Sequence, residues 1–81
     1  MKSSRLALRQ DFLRLLYELA MLELTLEQAK DEYKEATEEK EEERDLHKVH
    51  NTLIEITSKK YEIRHVQWRL SENWKKNNIL F

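Results

Sequence analysis

Apolar side chains recur along the first half of the chain with the alternating four- and three-residue spacing of a coiled-coil seam. This first seam spans residues 8–36 and consists of Leu8, Phe12, Leu15, Leu19, Leu22, Leu26, Ala29, Tyr33 and Ala36. The two positions that would continue it, Lys40 and Glu43, are charged. The pattern therefore predicts one long helix, over about residues 4–38, that buries a single face against another helix.

A second seam with the same spacing begins in the second half of the chain and predicts another helix, over about residues 46–76. Its positions are Leu46, Val49, Leu53, Ile56, Lys60, Ile63, Gln67, Leu70 and Trp74. Two of these, Lys60 and Gln67, are polar, and isolated polar residues in a seam often fix its register at a cost in stability.

The two seams are separated by the segment TEEKEEERD at residues 37–45, in which Thr37 is followed by eight charged residues. The second seam is displaced by one residue from the first, which is about 100° around a helix axis. A turn at about residues 39–45 absorbs this shift without strain, with Asp45 as the N-cap of the second helix. The alternative is one continuous helix in a parallel coiled coil, because the segment consists almost wholly of good helix formers.

We therefore predict an all-α fold in which two antiparallel arms form a coiled-coil hairpin that dimerises into a four-helix bundle. The single helical domain, residues 1–81, is divided into arm one (about 4–38), an acidic turn (about 39–45), arm two (about 46–76) and an apolar tail (77–81). In the predicted register Ala36 lies opposite Leu46, and Leu26 lies opposite Ile56. The absence of glycine and proline favours helices, because the hairpin turns and bulges of β-folds depend on glycine.

Several large apolar residues lie outside both seams, and a lone hairpin would leave them exposed. The residues that we predict to form an interface are Leu13, Leu16, Tyr17, Ala20 and Leu24 on arm one, with Ile54, Tyr61 and Trp68 on arm two. Exposed apolar patches of this size mark interaction surfaces. We expect a non-enzymatic protein–protein interaction module, acting as an adaptor, an assembly subunit or an inhibitor. Its expected partners are a second copy, forming a homodimer, and another protein.

Charge is nearly balanced over the chain but unevenly distributed along it. The 15 basic and 16 acidic residues give a net charge of -1, which argues against a global attraction to nucleic acid or membrane. The second arm is nevertheless basic and carries aromatic rings among its cations, a combination used in nucleic-acid binding. The alternative function is therefore nucleic-acid binding by a dimer of hairpins through Lys59, Arg64, Arg69, Lys75 and Lys76.

Residues that could support catalysis or metal binding are few. His47, His50 and Glu43 share one helical face, but structural zinc usually requires four ligands. No nucleophile beside a base and no glycine-rich phosphate loop can be recognised. We therefore expect no catalytic residues, no cofactor, no metal and no small-molecule substrate.

Three short segments, LALRQD at 6–11, AK at 29–30 and ERDL at 43–46, resemble pieces of the sequence pattern of the helical chorismate mutases. The resemblance implies a small helical enzyme that binds a dicarboxylate, with Arg9 and Lys30 as basic contacts and Glu43 at the acidic position. Leu19 and Glu42 stand where that family has further arginines.

The sequence contains no apolar segment of the length needed to cross a bilayer, and its N-terminal apolar residues are interrupted by charges that a signal peptide would lack. There is no cysteine, so disulfides and thiolate metal sites are excluded. We expect a cytoplasmic protein that does not associate with membranes.

Overall fold

The chain forms a hairpin of two long helices. The computed structural model describes the backbone of residues 2–79 and the side chains of residues 5–72. Helix α1 covers Lys2–Glu35 and helix α2 covers Glu39–Ile79, and the described residues contain no strand. The two helices pack along each other, so that the molecule measures 64 × 14 × 14 Å. The predicted all-α hairpin is confirmed, and the alternative of one continuous helix is wrong.

The chain reverses at residues 36–38, earlier than the predicted turn at 39–45. Most of the charged segment is therefore helical. Glu39, Glu41 and Glu42 occupy the first turn of α2, where carboxylates interact favourably with the positive end of the helix dipole. This interaction, together with the high helix propensity of glutamate, explains why α2 begins at the charged segment rather than after it.

Asp45 is not the N-cap of the second helix, as the sequence pattern predicted. It lies within α2, and only 4% of its surface is exposed. Its Oδ1 atom lies 3.3 Å from Nε of Arg44, which gives the buried carboxylate a charged hydrogen-bond donor.

The first seam faces α2 as predicted. Leu8, Leu15 and Ala29 are buried, and the other positions of this seam are half-buried. Leu15 is the most enclosed large side chain of the described residues, with 2% of its surface exposed. Burial of each such leucine contributes roughly 1.5–3 kcal/mol to the stability of the hairpin.

The seam of α2 differs from the prediction at every second position. The buried or half-buried residues that form it are Asp45, Val49, Thr52, Ile56, Lys59, Ile63, Val66 and Leu70. The predicted positions Leu46, Leu53, Lys60 and Gln67 are instead exposed. Trp74, the last predicted position, and the side chains of the apolar tail lie outside the described residues.

The polar groups of the α2 seam have hydrogen-bond partners, which is why they can replace leucine there. The hydroxyl of Thr52 donates to the carbonyl oxygen of Lys48 at 2.8 Å. Lys59 reaches across to Glu18 of α1. Among the described side chains no buried nitrogen or oxygen lacks a partner. One face of α2 therefore combines apolar residues with satisfied polar ones.

The register between the helices also differs from the prediction. Nζ of Lys48 lies 3.2 Å from Oε2 of Glu32, whereas the predicted register places Lys48 opposite Lys34. The observed register thus replaces a repulsive contact by an attractive one. The early turn also removes the predicted pairing of Ala36 with Leu46. Because the chain reverses at 36–38, Glu41 rather than Leu46 lies beside Ala36.

Candidate interaction surface

Helix α1 carries a second apolar stripe on the side that faces away from α2. We call it the α1 stripe, and its exposed apolar residues are Leu6, Leu13, Leu16, Tyr17, Ala20, Met21 and Leu24. Tyr17 exposes 68% of its surface and Leu13 exposes 65%. The buried seam and this stripe have the same heptad spacing but lie on opposite faces, so α1 has two faces suited to helix packing.

Helix α2 carries a sparser stripe, also on its outward side. The α2 stripe consists of Ile54, Tyr61 and Trp68, which are spaced seven residues apart and therefore share one face. All three are exposed, and Trp68 exposes 60% of its surface. Leu46 and Leu53, which were predicted to lie in the core, extend the apolar surface of this helix toward the turn.

The structure exposes all eight residues of the predicted interface, five on α1 and three on α2. Sequence reasoning placed Leu46 and Leu53 in the core, and their surface contribution follows only from the observed phase of α2.

An open groove of about 510 Å³ runs between the helices and connects the two stripes on one side of the hairpin. Tyr17 and Met21 line it from α1, and Ile54 lines it from α2. Glu18 and Lys59 lie in the same groove. It thus offers apolar side chains around a fixed pair of charges, a combination that can both bind and orient a docked side chain.

The ion pair in this groove is the best-defined polar contact of the surface. Nζ of Lys59 lies 2.8 Å from Oε1 of Glu18, and Nη1 of Arg14 donates to Oε2 of the same carboxylate at 3.0 Å. The hydrogen bond from Lys59 lowers the pKa of Glu18, with a smaller contribution in the same direction from Arg14. The same hydrogen bond raises the pKa of Lys59. Both groups are therefore held in their charged forms around neutral pH.

The basic residues of the second arm are not equivalent in the structure. Lys59 is half-buried and engaged with Glu18, whereas Arg64 and Arg69 are exposed. Arg64 lines a small cleft beside Tyr61, and the ring of Trp68 stacks on His65 at a centroid distance of 6.2 Å. The side chains of Lys75 and Lys76 lie outside the described residues.

The residues of the other candidate sites are exposed. Nε2 of His47 is 4.0 Å from Oε1 of Glu43, and Lys30 pairs with Glu27 at 3.1 Å. Within the described part of the chain, no group of three or more histidine, cysteine, aspartate or glutamate side chains is arranged to hold a metal ion. Arg9, the other basic residue that the resemblance to chorismate mutases requires, is exposed on α1.

No protein-family model, no curated protein and no solved structure matches the chain significantly. Of the two helices as described, neither has a stretch that is long and apolar enough to cross a membrane.

Proposed function

We propose that the hairpin is a non-enzymatic interaction module that binds other protein chains along its two outward apolar stripes. The observation that carries this proposal is the exposure of Leu13, Tyr17, Tyr61 and Trp68 on a molecule with a very small core. Bulky aromatic and aliphatic side chains of this kind dominate the binding energy of protein interfaces.

The core of the isolated hairpin is small for the amount of apolar side chain that the chain carries. In the described residues the buried apolar side chains are Leu8, Leu15, Ala29 and Ile56, and eleven large apolar side chains are exposed. A chain of this length with so small a core commonly gains stability by association.

The accessible surface supports the same proposal. The hairpin exposes 6865 Å², and its mass is 10.0 kDa. A compact monomer of that mass exposes about 5200 Å², so the excess is roughly 1600 Å². The excess reflects the elongated shape of the hairpin, which measures 64 × 14 × 14 Å, and a partner packed along its length would reduce it.

A photoreactive amino acid introduced into the α2 stripe tests the proposal. Placed at Tyr61 or Trp68 in the full chain and irradiated in native lysate, it should form covalent adducts with one defined protein or with a second copy of the chain. Asn51 is an exposed polar position on the same helix and serves as the matched control, at which we expect no adduct. Equal, scattered labelling at the stripe and at Asn51 would contradict the proposal.

Nucleic-acid binding stays the alternative function. The dependence of binding on salt concentration distinguishes it from protein binding. Binding through Arg64 and Arg69 should weaken steeply as salt rises, because phosphate contacts release counterions. Capture through Tyr61 and Trp68 should persist in the same salt range, because apolar contacts are not screened.

A further inference from the structure

We propose that the α1 stripe is covered by the α1 stripe of a second copy of the chain, with the two helices antiparallel and the two-fold axis passing near residue 15. This inference rests on the proposed function and identifies the occupant of one of the two stripes. It leaves the α2 stripe available to another protein.

The spacing of the stripe allows a symmetric contact. Its central positions are Leu6, Gln10, Leu13, Tyr17, Ala20 and Leu24, which alternate by four and three residues. When two such helices run antiparallel, Leu6 of one copy meets Leu24 of the other, Leu13 meets Tyr17, and Gln10 meets Ala20. Each contact occurs twice, as a two-fold interface requires. Because any heptad stripe permits such a pairing, the flanking charges must decide the orientation.

The charges beside the stripe favour the antiparallel orientation. Arg9, Leu16 and Glu23 each precede a central position and form one edge of the stripe. In the antiparallel pair Arg9 of each copy lies opposite Glu23 of the other, and Leu16 meets its own counterpart near the axis. In a parallel pair Arg9 would instead lie beside Arg14 of the second copy, since edge residues then pair five positions apart, and its attractive contact with Glu23 would be lost. Charged edge positions are known to set the orientation of paired helices.

Both members of this pair are free to form it. Arg9 and Glu23 are exposed, and neither forms an ion pair with any other described side chain of the hairpin. The neighbouring charges of the helix are already used, since Arg14 pairs with Glu18 at 3.0 Å. Two unpaired charges of opposite sign, symmetric about the centre of an apolar stripe, are complementary to the same surface of a second copy.

The opposite edge of the stripe contains one potentially repulsive contact. The two copies of Arg14 approach each other near the axis in the antiparallel arrangement. Each is held by carboxylates of its own chain, Glu18 at 3.0 Å and Asp11 at 3.8 Å. These carboxylates offset the repulsion, so this contact does not reverse the preference given by Arg9 and Glu23.

The distribution of charge along the whole hairpin also favours the antiparallel orientation of the dimer. Residues 27–45, around the turn, contain ten acidic and four basic residues. A parallel dimer would place two such ends side by side, whereas the antiparallel dimer separates them and brings each toward the less acidic end of the other copy.

Charge reversal tests the inference directly. We expect Arg9→Glu to weaken self-association of the full chain about tenfold at low salt, because two attractive contacts become repulsive. Glu23→Arg should do the same, and the double variant should restore the wild-type dissociation constant, measured by sedimentation equilibrium. Arg69→Glu, at an exposed position of α2, is the matched control and should have no effect. A strengthened dimer in Arg9→Glu would indicate the parallel arrangement and overturn the inference.

Thiol cross-linking tests the orientation independently, because the chain has no cysteine of its own. A short bis-maleimide should join Leu6→Cys to Leu24→Cys in a mixture of the two variants. It should not join two copies of Leu24→Cys, whose thiols would lie roughly 27 Å apart along the helix axis. Homodimeric cross-links of Leu24→Cys, or no cross-link in the mixture, would overturn the inference. Neither result would affect adducts formed at Tyr61 and Trp68, so failure of this inference can be distinguished from failure of the proposed function.

Discussion

Nζ of Lys59 lies 2.8 Å from Oε1 of Glu18 and joins the two helices across the groove that connects the outward stripes. Lys59 occupies a position in the α2 seam where an apolar residue is usual. Its ammonium reaches the edge of the seam and remains only partly exposed, so its stem can pack while its charge is neutralised. Together with the pair between Lys48 and Glu32, this contact is consistent with the observed register of the two helices.

The Glu18–Lys59 pair predicts a specific pH dependence of stability. Because the pKa of Glu18 is lowered in the folded hairpin, its contribution is present above the ordinary glutamate pKa and is lost as the pH falls through the folded value. Because the pKa of Lys59 is raised, its contribution is present below the ordinary lysine pKa and is lost as the pH rises through the folded value.

Glu18→Gln should therefore unfold more easily than the wild type at pH 7, and the difference should disappear as the pH falls through the lowered pKa of Glu18. Urea titrations followed by circular dichroism at several pH values measure this effect. Glu55→Gln is the control, because Glu55 lines the same groove without an ion pair to a described residue. An equal, pH-independent loss in both variants would show that the Glu18 pair does not stabilise the hairpin.

The two faces of α1 predict different consequences for neighbouring leucines. Leu15→Ala removes a side chain that is 2% exposed and should lower the free energy of unfolding by about 2–5 kcal/mol. Leu13→Ala removes one that is 65% exposed, and its effect should appear only at protein concentrations at which the hairpins associate. Denaturant titrations at two concentrations separate these effects. Equal losses at high dilution would be inconsistent with an exposed Leu13.

The rotation of α2 about its own axis, which buries Ile56 and exposes Leu53, predicts different costs for substitutions at these two positions. Ile56→Ala should cost about 2–5 kcal/mol because Ile56 is buried between the helices. Leu53→Ala should cost far less in the dissociated hairpin, because Leu53 is exposed. The seam predicted from the sequence would make both substitutions costly. Thermal unfolding of the two variants at high dilution distinguishes the two phases.

These contrasts indicate how far the sequence alone determines the structure. The first seam is an uninterrupted apolar pattern, so its periodicity suffices to predict α1 and its buried face. The second arm contains two frames that share Val49, Ile56, Ile63 and Leu70, and apolar spacing alone selects the one with Leu46 and Leu53. The observed frame is stabilised by polar contacts such as Glu18 with Lys59 and Thr52 with a carbonyl, which depend on tertiary geometry. The turn lies earlier than predicted because Glu39, Glu41 and Glu42 are favourable at the N-terminus of α2, an effect that the shift between the two seams does not reveal.

The exposure of the apolar residues that no seam uses could be predicted from the sequence, but their arrangement around the hairpin could not. Whether Tyr17 and Trp68 lie on one flank or two depends on the register and phase of the hairpin. The same limitation applies to Arg9 and Glu23, whose significance follows from their lack of partners in the folded chain.

The two stripes should be separable by mutation. Trp68→Ala should preserve the helicity and the self-association of the chain but abolish cross-links to another protein. Leu13→Asp should preserve helicity and dissociate the dimer. Circular dichroism, sedimentation and cross-linking on the same two variants measure all three properties. Loss of every property in both variants would instead indicate that the stripes support folding rather than binding.

We propose that a hairpin with so small a core completes its apolar packing by binding protein along its outward stripes, beginning with a second copy. The most direct test is the mass of the full chain in solution, measured by sedimentation equilibrium over a range of concentrations. We expect about twice the chain mass of 10.0 kDa for the wild type, and the single-chain mass with unchanged helicity for Leu13→Asp. A fully helical wild type that keeps the single-chain mass at every concentration would contradict it.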